Sequence, residues 1–148
     1  IGAGRRNHRP GALQRRGDRR DRALRCARAA PRSARSGLGA ADLGRANLSN
    51  TVLKAADLQA AQLRSADLSY ANLESADLRS ADLRAANLKG ALLRGANLSQ
   101  SDLRDADLGY ANFQAANLNG AGLSGAKLDR AIWIDGRVCA TGSVGECR

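Results

Sequence analysis

The chain has 148 residues, 43% hydrophobic and 26% charged, with one Phe, two Tyr, one Trp and no Met. So few bulky and aromatic side chains exclude an ordinary globular core, which fills its space with residues of varied shape. The formal net charge of +10 is unevenly placed: residues 1–35 carry twelve Arg against Asp18 and Asp21, whereas residues 36–135 carry ten Lys/Arg against eleven Asp/Glu. A basic pI therefore describes the N-terminal arm and not the body.

Residues 1–35 are rich in Arg, Gly and Ala, and Ile1, Leu13 and Leu24 are their only large aliphatic residues. That is too little apolar surface to offset the entropy of ordering, so the segment reads as a disordered arm, with a short helix weakly encoded over residues 21–30. The alternative is an arm that binds nucleic acid or another anionic surface. No stretch approaches the ~18 apolar residues of a membrane span. The first residues show no apolar signal core, and because the chain begins at Ile1 a processed leader stays open.

From Leu38 a large apolar residue falls at every fifth position as far as Leu128: eighteen Leu and Phe113. The ladder expected to face inward includes Leu43, Leu48, Leu58, Leu63, Leu68, Leu73, Leu78, Leu83, Leu88, Leu98, Leu103, Leu108, Phe113 and Leu118, and Trp133 and Val138 extend its phase. Two residues before each centre, from 41 to 131, stand seventeen Ala with Thr51 and Ser101. One residue before the centre is usually Asp or Asn. An α-helix turns about 100° per residue, so a five-residue period would scatter the leucines round the cylinder. In a straight strand an odd period would send alternate leucines to opposite faces. The chain must therefore bend once per repeat in a constant sense, winding into a solenoid with Leu and Ala inside.

The run Ala66-Asp67-Leu68-Ser69-Tyr70-Ala71-Asn72-Leu73-Glu74-Ser75-Ala76-Asp77-Leu78-Arg79-Ser80 resembles the pentapeptide-repeat family. The resemblance covers residues 36–135 and implies an all-β chain: a right-handed quadrilateral parallel β-helix, four repeats per coil, about five coils here. The family also contains DNA mimics that bind type II topoisomerases such as DNA gyrase and protect them from inhibitors. Those mimics are strongly acidic and dimeric, whereas this body is near neutral, with Arg interleaved among Asp.

On a twenty-residue coil Arg64, Arg84 and Arg104 fall in one column, flanked by Asp82, Asp102 and Asp105. They read either as a recognition strip or as a solvated face. Tyr70 and Tyr110 also share a side, as interface groups or as corner residues. Val52, Gln62, Leu92, Gly122 and Lys127 replace the usual Asp/Asn. Val52 and Leu92 fall forty residues apart, on one side of a twenty-residue coil, and read either as the seed of a partner contact or as single exposed apolar residues, which are commonplace.

Nothing singles out a catalytic, cofactor or metal site. The carboxylates recur with the repeat, His8 is the only histidine and lies in the arm, and no phosphate-binding glycine loop is present. Residues 136–148 break the repeat and read as a cap, with Trp133 as its plug. Cys139 and Cys147 lie eight apart in that glycine-rich tail, either as a disulfide in an oxidising compartment or as two reduced thiols in the cytoplasm, the default location. The expected role is a non-catalytic scaffold for protein–protein interaction, its partner unidentified, with no small-molecule substrate. Topoisomerase binding, nucleic-acid binding through the arm and a homodimer are the alternatives.

Overall fold

The computed structural model describes residues 37–148; the arm, with His8 and Cys26, lies outside them. The described residues contain no helix. Single-residue parallel bridges join position i to i+20, from Gly37↔Asp57 to Asn112↔Ile132. One coil is therefore twenty residues, and five bridge residues stand in a column on each of four sides. The first side carries Gly37, Asp57, Asp77, Asn97 and Asn117; the second Asp42, Gln62, Asp82, Asp102 and Gly122. The third carries Asn47, Asp67, Asn87, Asp107 and Lys127; the fourth Val52, Asn72, Leu92, Asn112 and Ile132.

Each bend is a four-residue turn in which the amide after the corner donates to the preceding Leu carbonyl, as in Ala66 N to Leu63 O at 3.0 Å. The third turn residue has positive φ, the type II requirement. Fifteen non-glycine residues adopt it, including Tyr70 at 55° and Tyr110 at 59°. Left-handed backbone costs such residues roughly 1–2 kcal/mol each. Inter-coil hydrogen bonds hold them there: Leu68 N donates to Asn87 O at 2.7 Å and Asp67 N to Ala46 O at 2.9 Å. Asp or Asn before each Leu has a local cause as well. Its side-chain oxygen accepts the amide hydrogen of the residue two ahead, as in Ser69 N to Asp67 Oδ1 at 3.0 Å and Glu74 N to Asn72 Oδ1 at 3.1 Å, closing the corner from outside.

The leucines and alanines form one continuous core, and Leu48, Leu58, Leu78 and Leu98 are wholly inaccessible. Thr51 and Ser101, the polar members of the Ala column, donate their hydroxyls to Leu48 O and Leu98 O at 2.6 Å. Burying them therefore leaves no unmet donor.

The last coil departs from the expected ladder. Val138 does not extend its phase: it is 58% exposed and pairs antiparallel with Ile132. A tight turn at Asp135-Gly136, with φ +86° at Gly136, reverses the chain and ends the five-residue rotation. Val144 likewise pairs antiparallel with Lys127. The tail thus roofs the third and fourth sides, and Leu128 beneath it is fully buried. Leu118 and Leu123, on the sides it leaves open, are only partly buried. Trp133, partly buried, meets Phe113 edge-on at 5.9 Å between centroids. Cys139 and Cys147 are joined in a disulfide across this tail.

Candidate interaction surface

Three of the four sides carry carboxylates in their central columns, and on the second side Asp82 and Asp102 are clamped. Arg84 donates from Nε and Nη2 to the two oxygens of Asp82 at 2.8 and 2.6 Å, and Arg104 does the same to Asp102. Arg84 also lies 3.7 Å from Asp102, so the pairs join along the column. The guanidinium hydrogen bonds hold the Asp82 and Asp102 carboxyls below their ordinary range and raise Arg84 and Arg104. On the first side Arg79 clamps Asp77 in the same way. The rule is local: Asp before the Leu and Arg after it form a fork. Arg64 stands in the same column, but Gln62 replaces the carboxylate there, and Arg64 makes no ion pair among the described residues. Asp105, at the next corner, takes no part in the forks. Arg64 instead borders an open hollow of about 510 Å³ with Gly44, Arg45 and Ser65.

The fourth side is built differently. Its central column reads Val52, Asn72, Leu92, Asn112, Ile132, with no carboxylate. Val52 is 62% and Leu92 41% exposed. The corner leading into this side carries Tyr70 and Tyr110, both largely exposed, and the corner leaving it carries Ile134. Val138 continues the column through its pairing with Ile132. Of the seven exposed large hydrophobic residues among the described residues, six therefore sit on this side or its corners; Val144 is the exception. The Tyr70 ring lies over Gly90, where an added Cβ would come within 2.5 Å of Cε1. The Lys89 ammonium lies 5.9 Å from the centre of the Tyr110 ring, within cation–π range.

Val52, Leu92 and Ile132 occupy positions where the fold prefers Asp or Asn, and no side-chain oxygen there accepts the amide hydrogens of Lys54, Arg94 or Ile134. Each substitution forgoes a hydrogen bond of about 0.5–1.5 kcal/mol and leaves an apolar group in water. The sequence reading kept Val52 and Leu92 apart from Tyr70 and Tyr110. Their positions within the twenty-residue coil differ by two, which was the signal that joins them.

Among the described residues no group of three or more His, Cys, Asp or Glu could hold a metal, and no helix is long and apolar enough to cross a membrane.

Pentapeptide repeats match the chain in eight copies, over residues 38–69, 56–95 and 96–132. Among solved structures the chain is similar to HetL, a pentapeptide repeat protein involved in heterocyst differentiation regulation in the cyanobacterium Nostoc sp. PCC 7120. The identity is 42% and the TM-score 0.62, over 62% of this chain and 42% of HetL. The chain thus spans less than half the length of that relative. It is also similar to AT2G44920, a pentapeptide repeat protein of the Arabidopsis thaliana thylakoid lumen, at 26% identity and TM-score 0.64, over 74% of this chain and 82% of that one. QnrB1, a plasmid-mediated fluoroquinolone resistance protein, matches at 23% identity with a TM-score of only 0.30, over 61% of this chain and 59% of that one. No curated protein matches. With its twenty-residue coils, its buried Leu ladder and its repeats matched from residue 38 to 132, the chain belongs to the pentapeptide-repeat family and is a right-handed quadrilateral β-helix.

Proposed function

We propose that this chain is a non-catalytic scaffold that binds another protein through the fourth side of its β-helix. The observation that carries the reading is the gathering of Val52, Leu92, Val138, Tyr70, Tyr110 and Ile134 on one side of four. Scattered exposed apolar residues need no explanation, but six gathered on one side of four, with a polar rim, have the anatomy of an interface. The second side, with its Arg–Asp forks satisfied internally, has less to offer a partner, since paired exposed charges gain little from further contacts.

The topoisomerase alternative draws no support from the surface charge. A DNA mimic needs unpaired negative charge, and here Asp77, Asp82 and Asp102 are each bound by Arg. The disulfide in the tail favours an oxidising compartment as the site of action.

The test is site-specific photocrosslinking in the native host, with the crosslinking residue at position 92 on the fourth side or at position 82 on the second. Discrete protein adducts at 92 and none at 82 support the reading. Adducts at 82 alone, or equal yields at both, refute it.

A further inference from the structure

We infer that the occupant of the fourth side is an acidic amphipathic helix lying along the rod axis; this rests on the fourth side being the docking surface. The first argument is hydrogen bonding. On this side every inner coil has its backbone taken: Asn72 N donates to Thr51 O, Leu73 N to Leu92 O, Leu92 N to Ala71 O and Leu93 N to Asn112 O, at 2.8–2.9 Å. An extended peptide laid across it would find no main-chain ladder, and its own amides and carbonyls would be desolvated without partners. A helix arrives with its backbone already satisfied.

The second argument is spacing. Val52, Leu92 and Ile132 recur every second coil, roughly 9.6 Å at the strand spacing of ~4.8 Å. Tyr70 and Tyr110 alternate with them from the corner. Seven residues of helix advance ~10.5 Å, so apolar residues at i, i+3/i+4 and i+7 keep step with this column over the ~24 Å of the rod, about sixteen residues.

The third argument is charge. Lys89 and Arg94 stand at the two corners beside Leu92, and Arg130 beside Ile132. None of the three forms an ion pair among the described residues, whereas Lys54 is matched by Glu74 at 3.1 Å and Arg137 by Asp135 at 3.4 Å. The amide hydrogens of Asn72 and Asn112 add donors without a negative group. The partner that completes this rim brings carboxylates along both edges of an apolar stripe.

A second copy of the chain fits less well. The side is roughly 24 Å by 16 Å, roughly 400 Å², against ~800 Å² per partner in a standard interface. A two-fold pairing centred on Leu92, in the middle coil, would also set Lys89 and Arg94 against their own counterparts.

The experiment selects binders to the full chain from a phage-displayed library of random 16-residue peptides. A parallel selection against Leu92→Glu removes peptides held only by the Arg-rich arm. The expected survivors carry Asp or Glu flanking apolar residues at helical spacing, gain helical circular dichroism on binding, and bind Leu92→Glu at least tenfold more weakly. The Lys89→Glu/Arg94→Glu chain should lose at least tenfold for the same peptides at low salt, and less at high salt. Survivors that are basic, proline-rich or extended would overturn the helix while leaving the surface in place. Survivors indifferent to Leu92→Glu, or no survivors, would overturn both the helix and the fourth side as its seat.

Discussion

Leu92 and Leu93 are neighbours in the chain and opposites in the fold, one 41% exposed and the other wholly buried. Truncating each to Ala asks the same chemistry of two directions. Leu93→Ala removes three buried carbons, about 2.4 kcal/mol of transfer free energy at ~0.8 per carbon. The cavity left behind adds to this, because the walls are fixed: Leu93 N is tied to Asn112 O and Leu73 N to Leu92 O, both at 2.8 Å. The coils cannot close over the gap, so the total should reach about 4 kcal/mol, within the ~2–5 range of such truncations. Leu92→Ala loses contact with only part of one side chain and should cost below about 1 kcal/mol. Urea unfolding followed by far-ultraviolet circular dichroism reads both as midpoint shifts at constant slope. Equal costs, or a larger cost at Leu92, would refute the inward phase on which the ladder and the fourth side both depend.

Acid should weaken the second side before neutral or alkaline pH does. Asp82 and Asp102 have lowered carboxyl pKa values in the folded state, so the stability they supply is complete above the unfolded carboxylate value of ~3.9 and is lost as pH falls through the folded value. The Asp82→Asn/Asp102→Asn variant should therefore show a shallower decline of melting temperature below about pH 4, and an unchanged acid limb would contradict the forks. The oxidised chain should be lighter than the reduced one by two hydrogens. Opening the loop closed by Cys139 and Cys147, eight apart in sequence, should ease fraying of the tail by roughly 2.5 kcal/mol, nearly two decades in opening. Hydrogen exchange at Cys139 and Gly145, whose amides bond to Ala131 O and Ala126 O, should then quicken while Asn72 is unaffected. Gly90→Ala should be destabilising by ~1–2 kcal/mol of left-handed strain plus the cost of displacing the Tyr70 ring, and only the ring's share should vanish in a Tyr70→Ala background. In a gyrase supercoiling assay the full chain should neither inhibit nor protect; clear inhibition would restore the topoisomerase alternative.

The five-residue period was legible without any structure, because neither a helix nor a straight strand can put Leu38 through Leu128 on one side. So was the near-neutral charge of residues 36–135, since charge is a property of composition. Each repeat folds largely on its own chemistry: Leu inward, Ala beside it, Asp or Asn closing the corner. The twenty-residue coil followed from the family resemblance and not from the period, which requires winding but leaves the number of sides open; the inter-coil pairing from Gly37↔Asp57 to Asn112↔Ile132 bears it out. That pairing sets Tyr70 and Tyr110 beside Val52, Leu92 and Ile132, whereas the Arg–Asp forks follow from the local order Asp-Leu-Arg. The reversal at Gly136 was also decided by tertiary contacts. Val138 keeps the ladder's phase in the sequence, but the end of the solenoid must be covered, and the pairing with Ile132 does so at the expense of that phase.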